Sequence, residues 1–191
     1  MRQESDPVFF HSLKTHIWCE DKILRSKQMK KKNLNLNKAR TVKNDEFYTL
    51  YEDIEREIFY YKDEFEGKII YCNCDDPNRS AFWRFFHLNF ERLNLKELVA
   101  TYYIEGMQTF LYRYSGRNDT DISSYDQFSL KEDGDFRSNE CQELLNECDI
   151  VVSNPPFSLF SDYIQLLLKH EKKFLIIGNK NAATFKDIFP Y

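Results

Sequence analysis

The stretch CDIVVSNPPFSLFSDYIQLLLKHEKKFLIIGN, residues 148–179, decides the fold. Residues 148–154 contain a short apolar run, Ile150 to Val152, and residues 172–179 contain a second, Phe174 to Ile177. Between them, residues 159–170 read as an amphipathic helix. A strand, a helix and a strand in this order form a crossover unit whose strands run parallel. The strands are apolar throughout rather than alternating, as expected of a sheet covered on both faces. The first strand stops at Ser153-Asn154 and meets Pro155, Pro156 and Phe157. Neither proline has an N–H, so a sheet ladder cannot continue through them. That turn is either a plain strand terminator or a place that holds a flat, amine-bearing ring.

The same alternation extends upstream. Residues 44–65 carry Leu50, Ile54, Ile58 and Tyr61 at three- and four-residue spacing, with Gly67 as a stop, and predict a helix. Residues 68–73 predict a buried strand, 80–93 an aromatic-rich helix, and 97–104 the next strand. Gly106, Gly116 and Gly134 mark loops around edge strands near Phe110–Tyr114 and Tyr125–Leu130. Ser138 suits the N-cap of a helix over 138–147, and 182–189 starts one more helix. Residues 1–43 show no sustained period and read as an arm or poorly ordered lead-in. The class is α/β with a mainly parallel sheet, its parallel core of about five strands joined by right-handed crossovers. Without a finishing hairpin, such a sheet would expose an edge.

Composition narrows the function. The 191 residues are 42% apolar and 30% charged, enough for one packed domain, and no run of 18 apolar residues occurs. No membrane partner is expected, and nothing near Met1 resembles a signal peptide, which suggests a cytoplasmic setting. Cys19, Cys72, Cys74, Cys141 and Cys148 suit small buried hydrophobes in a reduced compartment. Cys72 and Cys74 alternate on a strand and would share a face. No second ligand pair follows His11, His16 and Cys19 at zinc spacing, so no metal is expected. Net charge is −4, yet residues 22–43 hold nine Lys/Arg and no acid. That run is either a solvated tail or an arm that contacts phosphates. The chain has no Pro-Cys pair, as cytosine C5 methyl transfer would need, and no G-x-G-x-x-G after any strand.

In parallel α/β sheets, ligands bind outside the carboxyl ends of the strands. The motifs NCDDP, GDFRS and SNPPF all fall at such ends or between elements. An exocyclic amine on an aromatic base is a weak nucleophile, because its lone pair is delocalised. Two acceptors aimed at its N–H groups favour a pyramidal nitrogen and stabilise the developing charge. Asn154 offers a side-chain carbonyl, Pro155 a main-chain carbonyl fixed by Pro156, and Phe157 a stacking face.

The segment SNPPF resembles the (D/N/S)-P-P-(Y/F) motif of amino-methyltransferases that use S-adenosylmethionine. Residues 43–55, 72–86, 134–138, 149–160 and 176–182 together resemble the EcoRI-type adenine-specific DNA methyltransferase family, in the family's order. The resemblance implies a Rossmann-like methyltransferase core over 33–191, preceded by a basic, poorly ordered extension over 1–32. It implies methyl transfer from S-adenosyl-L-methionine to the N6 amine of an adenine flipped out of double-stranded DNA, in restriction–modification or phage/host DNA modification. Asn154, Pro155, Pro156 and Phe157 would hold that adenine. Phe47, Tyr48 and Thr49 would line the methionine end of the cofactor, and Asp76 and Pro77 the loop after the first strand. Asp135 and Phe136 would meet the cofactor adenine by hydrogen bonding and packing. The loop DDPNRSAF lacks the glycines many methyltransferases place there, and Glu105 is the nearest acid for the ribose.

The resemblance also implies continuation beyond Tyr191, with further strands, a target-recognition region or a downstream complementing polypeptide. Competing expectations are an inactive relic that binds cofactor or DNA, a methyltransferase of protein glutamine, and a basic-arm nucleic-acid binder. Asp135 could instead be a helix N-terminal acid, and Phe47 plain core.

Overall fold

A computed structural model describes residues 16–19, 51–116 and 124–178. The expected helix over 182–189, the basic run 22–43 and Phe47-Tyr48-Thr49 lie outside the described residues. The elements in chain order are β1 (His16–Cys19), α1 (Tyr51–Ile58), β2 (Ile69–Cys72), α2 (Ala81–Leu88), β3 (Glu97–Thr101), β4 (Phe110–Tyr114) and β5 (Asp126–Ser129). They continue with α3 (Asn139–Glu147), β6 (Ile150–Ser153), α4 (Phe160–Lys169) and β7 (Lys173–Gly178). Short 3-10 turns follow α1 at Phe59–Glu64 and precede α4 at Phe157–Leu159.

One seven-stranded sheet runs in the order β1-β7-β6-β2-β3-β4-β5. The five strands from β1 to β3 are parallel neighbours, and β4 and β5 extend the sheet antiparallel. The expected class is therefore found, and the parallel core has the expected five strands with β4 and β5 at its edge, subject to one correction. The edge of β7 expected to be bare pairs with β1, from a lead-in in which no strand was expected.

Side-chain parity explains why the central strands read as unbroken apolar runs. Ile70 and Cys72, Leu98 and Ala100, Ile150 and Val152, and Leu175 and Ile177 face α1 and α2 in one core. Tyr71, Val99, Val151, Phe174 and Ile176 face α3 and α4 in the other. Both faces are covered, so the middle positions of the central strands are apolar, and polar residues stand only at their ends, as Glu97, Thr101, Ser153 and Lys173 do. Ile54 and Ile58 are fully buried, as the helical spacing expects, but the α-helix ends at Ile58 and Tyr61 falls in the 3-10 turn that follows, while Leu50 lies outside the described residues. Cys72 and Cys74 do not share a face: β2 ends at Cys72, parity is lost in the following turn, and Cys74 leans on the α3–α4 core.

The helix α2 is shorter than the predicted 80–93. It begins where Ser80 Oγ accepts from Trp83 N at 3.1 Å. It ends where Asn89 Nδ2 donates to Phe85 O at 2.9 Å, a local bond that competes with the helical ladder. Phe82, Trp83, Phe85 and Phe86 are buried, so α2 is a core helix. Phe85→Ala is expected to cost about 3–5 kcal/mol in urea unfolding. Phe128→Ser, on the half-exposed edge strand β5, should stay within about 0.5 kcal/mol of wild type.

Candidate active site

The crossover from β2 through α2 to β3 leads one way along the sheet, and the one from β6 through α4 to β7 leads the other. Their helices cover opposite faces. The chain therefore diverges between β2 and β6, where an open α/β sheet forms its ligand crevice.

The loop after β2 starts with Asp75 N donating to Thr101 O at 3.2 Å, which turns the Asp75 side chain inward. Asp75 is only 5% exposed. Its Oδ1 accepts from Ser80 Oγ at 2.6 Å. Its Oδ2 accepts from Ser153 Oγ at 2.7 Å and from Asn154 N at 3.3 Å. One carboxylate thus ties the end of β2, the cap of α2 and the start of the SNPPF turn together. The expected site residue Asp76, next in sequence, serves the loop itself: its Oδ1 accepts from Asn78 N and Nδ2, and Arg79 lies 3.8 Å from its Oδ2. Pro77 is buried.

Across the crevice, Gly134-Asp135-Phe136 is held by a pair of glutamates. Glu140 Oε2 accepts from Lys131 N and Glu132 N, and Glu132 Oε2 accepts from Glu140 N. The exchange fastens the loop to the first turn of α3, whose cap Ser138 accepts from Cys141 N as expected. Gly134 sits at φ +75°, and a Cβ there would lie 2.6 Å from Tyr102 O. Arg137 grips Asp135 through both carboxylate oxygens at 2.6 and 2.8 Å, and this bonding holds the Asp135 carboxyl below its ordinary range. Phe136 is buried edge-to-face against Tyr163, ring centroids 5.0 Å apart.

These loops enclose a cavity of about 490 Å³, within the range of small-molecule sites. Of the expected site residues, Asp76, Asp135, Phe136, Asn154 and Pro156 line it. Pro155 is buried beside it, and Phe157 is half-buried against the α1–α2 core, away from the lining. Glu105 is exposed in a turn outside the lining, where Tyr102, Tyr103 and Ile104 stand instead. Asp75 and Ser80 line the cavity, and sequence reasoning passed over both. The doubled acid at 75–76 was the available signal, but nothing in the sequence told which of the two turns inward.

Burial raises the Cys72, Cys74 and Cys141 thiols, so they stay protonated near neutrality and offer no thiolate nucleophile. Among the described residues no group of three His, Cys, Asp or Glu is placed to hold a metal ion. The lining carries the Asp75, Asp76 and Asp135 carboxylates; Asp76 lies 3.8 Å from Arg79 and Asp135 is paired with Arg137, which leaves a net negative wall. Such a wall favours a positively charged ligand over a polyphosphate.

Doubly wound topology and a crevice at the strand ends define an α/β domain built to take a small ligand between β2 and β6. The chain belongs to the family described as Adenine-specific methyltransferase EcoRI, which matches residues 35–191. It is 46% identical over 170 residues to Type II methyltransferase M.EcoRI of Escherichia coli, covering 82% of this chain and 52% of that one. It is 41% identical over 157 residues to M.MgeORF184P of Mycoplasma genitalium, covering 82% of this chain and 48% of that one. It is also 41% identical over 153 residues to M.MpnI of Mycoplasma pneumoniae, covering 80% and 46%. The chain spans about half the length of these curated relatives. No solved structure gives a significant match. The family recognised from the motif set is thereby borne out.

Two outcomes follow from the geometry of the 134–136 loop. Gly134→Ala should lower stability and loosen the loop, because the new Cβ meets a backbone carbonyl; amide exchange over 131–138 is the readout. Because the Asp135 carboxyl is held low, its contribution to stability is full above the ordinary carboxylate pKa and is lost as pH falls through the depressed value. In Arg137→Gln, carbon-detected NMR titration should find the Asp135 carboxyl returned upward toward its ordinary range.

Proposed function

We propose that this domain transfers a methyl group from S-adenosyl-L-methionine to the N6 amine of an adenine flipped out of double-stranded DNA, in a restriction–modification setting. The observation that carries the reading is the SNPPF turn, which Asp75 pins to the rim of the cavity in a chain of this family. A cytoplasmic setting follows from a DNA substrate and from free, protonated thiols.

The residues present fit the cofactor. Its sulfonium and α-ammonium groups are cationic, and the lining offers the Asp75, Asp76 and Asp135 carboxylates, of which Asp76 lies near Arg79 and Asp135 is paired with Arg137. Asp135 and Phe136 are proposed for its adenine, and the loop of Asp76 and Pro77 for the strand-end side. Tyr102, Tyr103 and Ile104 stand where a ribose acid is often found, with Glu105 just beyond. Phe47, Tyr48 and Thr49 are proposed for the methionine end. When bound, S-adenosylmethionine supplies an activated methyl group and needs no metal or covalent enzyme intermediate.

The chain's own residues then act on the amine. Asn154 Oδ1, enclosed from solvent, and the Pro155 carbonyl accept from the two N6 hydrogens. They draw the nitrogen lone pair out of conjugation and stabilise positive charge as the bond to carbon forms. In a site with little water these hydrogen bonds are stronger than in solution. Pro156 and the 3-10 turn from Phe157 limit the conformations of the turn. Phe157 is proposed as the packing face for the base, which requires it to serve from its half-buried place on the core. Fixing amine and methyl in line supplies much of the remaining rate.

The residues outside the described segments, together with any downstream polypeptide, are proposed to present the DNA. The wild-type chain should move labelled methyl from S-adenosylmethionine onto N6 of adenine in unmethylated duplex DNA. Asn154→Ala should lose roughly 100-fold or more of that rate while keeping cofactor affinity. Cofactor binding without transfer, restored by adding the downstream half of a relative, identifies a split enzyme. Label on protein glutamine and none on DNA contradicts the reading.

A further inference from the structure

The Asp75 carboxylate touches neither proposed reacting atom, yet it bonds to both halves of the crevice. On the cofactor side it accepts from Ser80 Oγ at 2.6 Å, and the same oxygen caps α2 by accepting from Trp83 N. On the amine side it accepts from Ser153 Oγ and from Asn154 N. Ser153 is fully buried, so its hydroxyl cannot exchange this partner for bulk water. A continuous chain of hydrogen bonds thus runs from the first turn of α2 through Ser80 and Asp75 to the backbone of Asn154.

We infer that Asp75 is a positioning residue that couples the cofactor side of the crevice to the amine-accepting turn, so that order at the start of α2 fixes where Asn154 presents its acceptor. This rests on the function proposed above for Asn154, but the coupling itself is a property of the hydrogen-bond chain. A rotation of the Ser80 hydroxyl or a shift of the α2 cap moves the carboxylate. The carboxylate then moves Ser153 and Asn154, because each oxygen serves a different side. Ligand contacts at Asp76 or Arg79, which flank this cap in sequence, would be felt at the turn through the same path. Donors on both carboxylate oxygens, one of them the fully buried Ser153 hydroxyl, make the arrangement stiff, since charge-assisted bonds are the strong ones.

The test uses Ser80→Gly and Ser80→Thr in the full chain, together with Asp75→Asn. Glycine is tolerated at a helix cap but removes the donor to Asp75, whereas threonine keeps both the cap and the donor. Amide exchange over residues 150–157 should rise roughly tenfold in Ser80→Gly, as expected for a modest coupling. It should stay at the wild-type level in Ser80→Thr, with the melting curve showing both variants folded. Methyl transfer by Ser80→Gly and Asp75→Asn should fall in kcat with KM for DNA nearly unchanged, and Ser80→Thr should restore it. Unchanged exchange over 150–157 in Ser80→Gly overturns the coupling, as does a loss confined to KM. If the wild-type chain moves no methyl group even with the downstream half of a relative added, the function above fails. The exchange comparison then still decides the coupling, including where Asp75→Asn does not fold.

Discussion

A buried carboxylate is costly unless donors replace the water it gives up. Asp75 receives three such donors, two from side chains and one from the backbone, and they come from separate parts of the chain. The sheet brings the carboxyl ends of β2 and β6 side by side, but it does not fix the loops that follow them. Asp75 does. Its bonds convert two neighbouring strand ends and a helix start into one rigid rim, and the cavity lies against that rim.

The same residue bears on the proposal of a cationic ligand in a fold associated with phosphate binding. In glycine-rich nucleotide sites, the helix after the first strand points free backbone N–H groups at an anion. In this chain Ser80 caps that helix, and Asp75 and Asp76 precede it. The protein's own carboxylates occupy the place an incoming phosphate would need, and the lining adds Asp135. A loop without glycine is therefore suited to a cationic ligand.

The parallel core was legible in the sequence because burial on both faces leaves β2, β6 and β7 with unbroken apolar runs. The edge strands β4 and β5 were placed near their true positions by the glycines around them, and Ser138 was correctly read as a cap. β1 was not legible: four residues in a Lys- and Asn-rich lead-in carry no period, and only pairing with β7 defines them. Asp75 escaped for a related reason. Adjacent aspartates look alike in sequence, and the bond from Asp75 N to Thr101 O, a contact from the loop after β2 to the end of β3, is what turns one of them inward. Phe157 shows the opposite case. Its residue type suited a stacking face, yet in this structure it rests half-buried on the α1–α2 core.

The claim on which the account turns is that the crevice between β2 and β6 takes a cationic adenosyl ligand beside an amine-holding turn. Titrating the isotope-labelled chain with S-adenosylmethionine, and separately with ATP, and mapping the backbone NMR shifts tests this most directly. The account predicts saturable shifts at 74–80, 102–104, 134–136 and 154 with S-adenosylmethionine, and none there with ATP. Shifts at those residues with ATP, or S-adenosylmethionine shifts only elsewhere in the chain, would contradict it.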